Sequence, residues 1–343
     1  MRIIFRLFCL FAACAALNTA VAREPMKVIF DTDMGNDVDD VIALDMLYKY
    51  QDSGDIKLLG VLSSKRKQSS VKMIDILNNV YGYPNTPIGL AYDYPEENFV
   101  DTSKPFNYAD HTTQFQDYPH TIQDYSTVPD GYLLLRRLLS EAKDGEVTIV
   151  AVGFSTNLKR LVYSQGDEYS ELDGKELMRR KVKQVVIMAG NFSERKKEYN
   201  VYKDHEAAVR FFAECPVPML FTDFTVGNSI LYPFQELYNS FSYMKNHPAL
   251  VAHEFYAKMP YNRPTWDPTA VLFAVEGGKG YASLSPRGYV TVDQGSVTHF
   301  IKDCKSNRRY YKVTDAQRMK IMHRIVELTR RKPKNFQEST SLQ

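Results

Sequence analysis

The chain has 343 residues, of which 44% are hydrophobic and 24% charged, and it contains 19 Phe and 23 Tyr. This composition excludes a disordered, a collagen-like or a disulfide-scaffold protein, because enough apolar surface is present to fill a core. Lys and Arg total 43 against 41 Asp and Glu. This balance argues against nucleic acid or an acidic membrane surface as the main partner.

The first 22 residues have the pattern of a secretory signal peptide. Arg2 and Arg6 precede an apolar run over 7–17, and a small-x-small sequence at 20–22 provides a cleavage site before Arg23. The leader carries two Arg and no acid, so its removal leaves a mature chain with a formal net charge of zero. We therefore expect a secreted or periplasmic protein.

The same leader leaves a lipoprotein as an alternative. Residues 11–14 loosely imitate the motif that ends at a lipidated cysteine, here Cys14, although Phe11 fits its first position poorly. The apolar run is too short for a permanent spanning helix, and no later stretch approaches about eighteen uninterrupted apolar residues. We expect no membrane association after cleavage of the leader.

Cys215 and Cys304 are the cysteines that remain after cleavage. An oxidising compartment permits one disulfide between them, but two separate thiols fit the sequence equally well, because their separation carries no spacing signal. The sequence contains no Cys and His cluster of the kind that binds structural zinc.

Strand-like and helix-like patterns alternate along most of the chain. This alternation predicts an α/β protein with an open, mostly parallel sheet that has helices on both faces. The short apolar runs lie at 27–33, 56–62, 147–152, 182–189 and 217–221, and the helical patterns at 38–50, 70–81, 130–143, 156–163, 204–214 and 228–240.

The remaining segments depart from this alternation. Residues 92–128, rich in polar residues and Tyr, predict a long ordered loop of the kind that often borders an active site. A helix near 267–276 is followed by alternation over 289–300, which predicts a small β-hairpin turning at 294–295. A basic amphipathic helix is predicted over 315–331.

Five carboxylates lie within ten residues, directly after the first predicted strand. In open α/β sheets this carboxyl end is where ligands bind. Mutually repelling carboxylates in a partly buried loop need a cationic partner, and hard oxygen ligands at this density suit Ca²⁺ or Mg²⁺ better than zinc. Capping of the next helix, for example by Asp37, would explain only one or two of the five carboxylates. They are Asp31, Asp33, Asp37, Asp39 and Asp40.

Later segments place further polar groups at predicted strand and helix ends. Asp267, before Pro268, begins an apolar helix, where a carboxylate that caps the helix can also point across a cleft. Residues 153–158 form a strand-to-helix turn whose carbonyls could bind a cation, and amides and carboxylates follow at 188–191 and 198–204. Such groups suit a polyhydroxylated ligand.

Taken together, these segments resemble the inosine/uridine-preferring nucleoside hydrolases, which cleave the N-glycosidic bond of ribonucleosides. The opening DTDPGxDDxxAL of that family is matched by residues 31–44, with two extra residues in the loop. Its GPLTNL, MGGN and AEFN…DPEAA motifs are matched in order at 153–158, 188–191 and 198–208. The resemblance implies a Rossmann-related fold and favours a single catalytic domain over residues 23–343.

The resemblance also implies a metal site and a general base. Asp33, Asp40 and Asp267, together with the backbone carbonyl of Thr156, would hold a Ca²⁺ ion. Asp33 would accept the proton of the attacking water. This agrees with the chemistry, because a departing glycosyl centre with oxocarbenium character needs anionic surroundings and a positioned water.

On the sugar side, the resemblance implies that Asp39, Asn191, Glu198 and Asn200 bind ribose hydroxyls. Trp266 departs from the family pattern, because many members carry at this position a His that can protonate the leaving base. An indole cannot transfer a proton near neutral pH. The tryptophan either stacks on an aromatic leaving group or packs the start of the helix.

Other departures leave the leaving-group acid open. The early Asn that the family carries after its second strand is missing, and the sequence Ser-Ser-Lys at 63–65 stands near that point. Tyr108, His111 or His120 of the long loop could replace the acid, although a lone His in such a loop is more often a surface residue.

We therefore predict a Ca²⁺-dependent hydrolase of nucleosides or related N-ribosyl compounds that releases ribose and free base. One alternative is a hydrolase of another ribosyl or glycosyl substrate whose activated leaving group needs no acid. Another is a non-catalytic nucleoside- or sugar-binding protein that retains the metal. By the resemblance, the partner is a small molecule, and a homodimer or homotetramer is expected.

Overall fold

The computed structural model describes residues 24–93, 107–115 and 117–334. The predicted leader with Cys14, residues 94–106 and Gln116 of the predicted long loop, and residues 335–343 lie outside the described residues. Everything below concerns the described part of the chain.

The first strand shows why this sequence forms a sheet with two buried faces. Successive side chains on a strand point to opposite faces. Val28 and Phe30 accordingly pack in one apolar layer, while Ile29 between them packs in the other. All three are fully buried, which is why the strand is a continuous apolar run rather than an alternation of apolar and polar residues.

Ten of the described strands form one sheet in the order β11-β10-β12-β6-β5-β4-β1-β2-β3, with β9 paired to β12. From β12 to β3 the neighbouring strands run parallel, whereas β10, β11 and β9 pair antiparallel and β7 and β8 form a separate antiparallel pair. The strands are β1 (Met26–Thr32), β2 (Ile56–Ser63), β3 (Ile88–Leu90), β4 (Val147–Ala151), β5 (Val182–Met188), β6 (Met219–Thr222), β7 (Leu231–Tyr232), β8 (Arg263–Pro264), β9 (Ser283–Leu284), β10 (Gly288–Val292), β11 (Thr298–Lys302) and β12 (Arg308–Lys312).

The helices cover both faces of the sheet. One apolar layer includes residues of α1, α2, α12 and α13, and the other includes residues of α4, α5, α6 and α8. None of the described helices is long and apolar enough to cross a membrane. The helices are α1 (Asp39–Asp52), α2 (Gln68–Val80), α3 (Tyr108–Thr112), α4 (Gly131–Glu141), α5 (Thr156–Tyr163), α6 (Gly174–Lys181), α7 (Tyr199–Lys203), α8 (His205–Glu214), α9 (Phe224–Asn228), α10 (Phe234–Phe241), α11 (Pro248–Tyr256), α12 (Trp266–Glu276) and α13 (Asp315–Thr329).

The predicted architecture is confirmed: a mostly parallel sheet lies between two layers of helices. The hairpin near the C-terminus is also present, as β10 and β11 pair from Gly288–Lys302 to Val292–Thr298. Asp293 stabilises its turn by accepting hydrogen bonds from the amides of Gly295 at 2.8 Å and Val297 at 3.0 Å.

The single helix predicted over 228–240 is wrong. Residues in this region form the end of α9, the short strand β7 and then α10. Pro233 explains the interruption, because it has no amide hydrogen and restricts the residue before it to extended conformations. Pro233 serves instead as the N-cap of α10.

The predicted long loop contains two short helical elements in its described part. Helix α3 is capped by the side chain of Asn107, which accepts from the Asp110 amide at 2.8 Å. A single 3₁₀ turn follows over Tyr125–Thr127. Tyr108 of α3 donates to the Met34 sulfur at 3.0 Å, so this segment packs against the loop that carries the acids.

Cys215 and Cys304 are separate free thiols. Cys215 is buried, and burial raises the pKa of its thiol to about 11. Cys304 is exposed.

Gly153 allows two segments at the carboxyl edge of the sheet to approach closely. It lies between β4 and α5, and a Cβ atom there would be 2.3 Å from Ser64 Oγ and 2.5 Å from the backbone nitrogen of Asp33. The neighbouring amide of Phe154 donates to Ser64 Oγ at 2.9 Å. Only glycine fits this contact without moving the backbone.

We expect Gly153→Ala to lower the free energy of unfolding by about 1–3 kcal/mol, because the added methyl group overpacks the contact with two other segments. Urea unfolding of the purified protein measures this change. Gly295→Ala is the matched control, since a Cβ there meets only the Asp293 side chain, at 3.2 Å. The explanation is wrong if both substitutions cost the same.

Candidate active site

The starts of two helices meet at the carboxyl edge of the sheet. Helix α1 begins at Asp39, and α12 begins at Trp266. The backbone amide of Asp267 donates to Asp39 Oδ2 at 3.0 Å, which fixes one helix start against the other. Because a helix N-terminus carries a partial positive charge, both starts favour the carboxylates placed there.

Two capping predictions need correction. Helix α1 has Val38 at its N-cap position and no side-chain cap, so Asp37 does not cap it. Helix α12 starts one residue earlier than predicted, with Thr265 at the N-cap position, so Asp267 lies in the first turn instead of at the cap. The acids are thus available for other contacts.

A cavity of about 220 Å³ opens at this edge. Its lining includes Asp33, Glu198, Asn200, Trp266 and Asp267, which come from separate segments of the chain and were all predicted as site residues. A larger, open cleft of about 490 Å³ beside α4, α5 and α8 contains none of the predicted site residues. The other residues that line the smaller cavity are Asp37, Val152, Met188, Lys197, Tyr199, Tyr202 and Phe224.

The clustered carboxylates are deeply buried, and burial is the largest influence on each pKa. It raises the pKa of Asp33 to about 6 and that of Asp39 to about 7. It also raises the pKa of Asp31, Asp40 and Asp267 well above the ordinary value, with repulsion from neighbouring carboxylates adding to the shift. The folded protein therefore pays a free-energy cost to keep these groups ionised.

The predicted metal ligands provide hard oxygen donors of the type that Ca²⁺ prefers. Asp40 Oδ2 is buried without a hydrogen-bond partner among the described residues, while Oδ1 accepts from the Thr32 hydroxyl. Thr156 is also buried, and its hydroxyl donates to Asp204 Oδ2 at 2.5 Å. The unpartnered oxygen and the mutual repulsion of the acids fit a bound cation.

The side chains do not form a complete coordination shell. Within the three described ranges, no three Asp, Glu, His or Cys side chains are grouped so that they could hold a metal ion. Ligation by Asp33, Asp40, Asp267 and Thr156 therefore stays a prediction.

Asp39 lies beside the cavity rather than in its lining. Both of its oxygens are engaged, because Oδ1 accepts from Arg263 Nη2 at 2.9 Å and Oδ2 accepts the amide of Asp267. These contacts tie α1 to β8 and α12. The predicted contact of Asp39 with a ribose hydroxyl is not tested by this arrangement.

Glu198 and Asn200 are fixed at the start of α7. Glu198 Oε1 accepts the amide of Asn200 at 2.9 Å, and Oε2 accepts the amides of Gly190 at 3.1 Å and Val201 at 3.2 Å. Burial raises the pKa of Glu198 to about 7. The side-chain nitrogen of Asn200 donates to the carbonyl of Val152 at 2.7 Å, which holds this side chain at the end of β4.

Asn191, by contrast, is engaged in its own turn. Its Oδ1 accepts the amide of Glu194 at 3.0 Å, and its backbone amide donates to Thr298 Oγ1 at 2.9 Å. It does not line the cavity. Its predicted contact with ribose stays a prediction.

Trp266 lines the cavity, but its polar group is already used. The indole N–H donates to the carbonyl of Phe224 at 2.9 Å, and the two rings stack with centroids 5.4 Å apart. The guanidinium of Arg263 lies 4.9 Å from the centroid of the indole ring. The indole therefore offers apolar surface to a ligand and no free N–H.

The residues considered as replacement acids lie away from the cavity lining. All seven histidines of the sequence are described, and none of them lines the cavity. His111 stacks on Phe255 with ring centroids 4.1 Å apart, and His120 contacts the carbonyl of Tyr118. Tyr108 is buried, and burial raises the pKa of its phenol well above the ordinary value.

Sequence reasoning missed two cations that compensate the acids. Arg263 is almost fully buried, pairs with Asp37 and Asp39, and has its pKa lowered to about 9 by burial. Lys65 is also buried, and its ammonium donates to Asn36 Oδ1. In the sequence, Lys65 stands out only as a departure from a family motif, and nothing marks Arg263 as part of the site.

Comparisons with known proteins give one family and one fold. The family model described as inosine-uridine preferring nucleoside hydrolase matches residues 28–330. No individual curated protein matches the chain. Among solved structures, the plant nucleoside hydrolase PpNRh1 is similar with a TM-score of 0.68 and 20% identity, covering 89% of this chain and 98% of that one.

Two further solved structures have the same fold. A purine-preferring ribonucleoside hydrolase from Gardnerella vaginalis has a TM-score of 0.67 and 17% identity, covering 89% of this chain and 99% of that one. The type III effector protein XopQ, solved with adenosine diphosphate ribose, has a TM-score of 0.63 and 12% identity, covering 90% and 94%. At these identities the likeness concerns the fold alone.

We expect Arg263→Met to lower the free energy of unfolding by about 3–5 kcal/mol, because it leaves the buried Asp39 without its cation. Denaturant unfolding near neutral pH measures the loss. Arg318→Met is the control, since Arg318 pairs with the exposed Asp315 and such surface pairs contribute less than about 1 kcal/mol. An equal cost for both variants would show that the buried pair is not important.

Proposed function

The chain belongs to the inosine-uridine-preferring nucleoside hydrolase family and is a glycosidase of the N-glycosyl bond, and we propose that it is a Ca²⁺-dependent enzyme that hydrolyses ribonucleosides or related N-ribosyl compounds to ribose and free base. The observation that carries this proposal is the cavity in which Asp33, Glu198, Asn200 and Asp267 converge from separate segments. Aromatic side chains with a few convergent polar groups are typical of small-molecule sites.

Asp33 is the proposed general base. It lines the cavity and is buried, and a carboxylate in this place can accept the proton of a water molecule. A bound Ca²⁺ ion, held by Asp33, Asp40, Asp267 and the Thr156 carbonyl, would supply Lewis acidity that lowers the pKa of water.

Glu198 and Asn200 are the proposed sugar-binding groups that line the cavity, with Asp39 and Asn191 as outer members of the set. Glu198 and Asn200 are positioned by backbone hydrogen bonds, so they lose little freedom when a sugar binds. Hydrogen bonds to ribose hydroxyls that strengthen as the C1′–N bond breaks would stabilise the oxocarbenium-like transition state.

The aromatic side of the cavity is proposed to contact the base. Phe224, Trp266, Tyr199 and Tyr202 all line it, and aromatic rings favour stacked or edge contacts with planar ligands. Because no histidine lines the cavity, the proposed mechanism assigns no imidazole to protonation of the leaving base.

A second candidate is a hydrolase of another ribosyl compound whose leaving group departs without an acid. Two observations favour it: no histidine lines the cavity, and the structurally similar effector XopQ was solved with adenosine diphosphate ribose. Turnover of nitrophenyl riboside without turnover of inosine or uridine would support this candidate over nucleoside hydrolysis.

We also propose that residues 23–343 form a single catalytic domain that is secreted or periplasmic after removal of residues 1–22. The arginines and the apolar run of the leader support this proposal. A homodimer or homotetramer is proposed from the family membership. N-terminal sequencing of the exported protein and light scattering test these two points.

We expect Asp33→Asn to lower kcat for nucleoside hydrolysis by about 10²–10⁴-fold, because the variant has no carboxylate to accept the proton of water. Release of ribose from purine and pyrimidine nucleosides is the measurement, with CaCl₂ or with a chelator. Asp144→Asn, in an exposed pair with Arg180, is the control and should retain wild-type turnover.

Three results would count against the catalytic proposal. Full activity of Asp33→Asn would show that Asp33 is not the general base. Equal turnover in chelator and in CaCl₂ would show that the reaction does not need a metal ion. Thermal stabilisation by nucleosides without any sugar release would instead support a non-catalytic binding protein.

We expect the contribution of Asp33 and Asp39 to the stability of the metal-free protein to fall as the pH rises from about 4 to about 7. The raised pKa values of Asp33 and Asp39 mean that the folded state holds protons which the unfolded state has released in this interval. Added CaCl₂ should raise the unfolding midpoint more near pH 7.5 than near pH 5, because ionised carboxylates bind it.

Thermal unfolding in chelator and in CaCl₂ measures this dependence, and Asp33→Asn serves as the comparison that removes one of the titrating groups. The difference between wild type and variant isolates the contribution of Asp33 from other titrating groups. An equal Ca²⁺ shift at both pH values would contradict the explanation.

A further inference from the structure

A lysine side chain is buried among the acids of the candidate active site. Lys65 follows β2, is 1% exposed, and donates from its ammonium to Asn36 Oδ1. The Asn36 amide nitrogen in turn donates to the Tyr199 hydroxyl at 2.9 Å and to Asp33 Oδ2 at 3.5 Å. Lys65 therefore belongs to the same hydrogen-bonded network as Asp33.

The loop that carries the acids passes close to this ammonium. Gly35 has a φ of +120°, a backbone conformation that residues with a side chain rarely adopt. A Cβ atom there would lie 3.4 Å from Lys65 Nζ and 3.2 Å from the Cβ of Ala109. The loop backbone at Gly35 is therefore a near neighbour of the ammonium.

Lys65 acts electrostatically on two of the carboxylates that are assigned to the metal. Its charge lowers the pKa of Asp33 and Asp40, although burial has the larger, opposite effect on both. Asp40 Oδ2 has no hydrogen-bond partner among the described residues, so this oxygen could serve as a ligand to a cation.

The two buried cations of the site contact different groups. Arg263 forms ion pairs with Asp37 and Asp39, which are not assigned to the metal. Lys65 instead donates to Asn36, whose side chain donates to Asp33 Oδ2 at 3.5 Å. A divalent ion bound by Asp33 and Asp40 would therefore lie close to a positive charge that the chain already supplies.

We propose that the ammonium of Lys65 competes with the divalent cation for Asp33 and Asp40, so that this chain binds its metal ion more weakly than the same site would without the lysine. Like charges at short distance in a buried site repel strongly, because the surroundings screen them less than water does. In the metal-free protein, the same ammonium stabilises the acids. Lys65 is thus a positioning residue that sets metal affinity.

This inference rests on the metal site of the proposed function, and calorimetric titration of the full mature protein with CaCl₂ tests it without measuring activity. We expect Lys65→Met to bind Ca²⁺ at least about tenfold more tightly than wild type, because the repulsive charge is gone. Lys143→Met is the control: Lys143 pairs with Glu24 at the exposed surface, and its loss should change the affinity by less than about threefold.

Thermal unfolding gives a second readout that general damage to the fold would not produce. In chelator, Lys65→Met should unfold at a lower temperature than wild type, because Asp33 and Asp40 have lost their countercharge. In saturating CaCl₂, the unfolding temperature of the variant should rise more than that of wild type. If Lys65→Met does not fold, Lys65→Gln provides the same neutral test with a polar side chain.

Equal Ca²⁺ affinity in wild type and the neutral variants would overturn the proposal, as would the absence of Ca²⁺ binding in all of them. These failures are distinguishable from failure of the proposed function. If these binding tests fail while nucleoside hydrolysis persists in chelator, the protein is still a hydrolase, and the proposed effect of Lys65 is wrong. If Lys65→Met binds Ca²⁺ more tightly but the wild-type protein releases no ribose, the effect of Lys65 on metal affinity is supported and the proposed hydrolysis is wrong.

Discussion

Burial of several carboxylates at one edge of a parallel sheet sets the conditions that the surrounding structure has to meet. Asp33, Asp39, Asp40 and Asp267 are almost inaccessible to solvent, and burial raises the pKa of each of them. Ionised groups removed from water are costly unless positive charge or hydrogen-bond donors surround them. The starts of α1 and α12, together with buried basic side chains, provide that compensation.

The compensation also fixes the geometry of the site. Asp39 holds Arg263 with one oxygen and the backbone of α12 with the other, so a single carboxylate connects β8, α1 and α12. Gly153 brings the turn after β4 against the backbone at Asp33. The residues that would perform the chemistry thus lie at or directly beside the ends of strands and helices that are fixed against one another, which favours a preorganised site.

The aromatic side of the cavity differs from the acidic side. Trp266 and Phe224 stack there, and the indole N–H is used by the protein itself. Selectivity on this side would come from shape and aromatic contact rather than from proton transfer by histidine. This division of an acidic side from an aromatic side is consistent with hydrolysis of an N-ribosyl bond, where the sugar develops positive charge.

The sequence by itself determined five neighbouring parallel strands, β1, β2, β4, β5 and β6, most helices facing them, and the acids, because apolar periodicity and local motifs act over a few residues. It did not reveal that β12 pairs with β6, since Arg308–Lys312 carries charged residues and its partner lies far away in the chain. Only the tertiary structure decided which cations compensate the acids. Lys65 opens a run of three basic residues at 65–67, and Arg263 stands alone among uncharged neighbours. Long-range packing brings Lys65 to Asp33 through Asn36 and places Arg263 against Asp39.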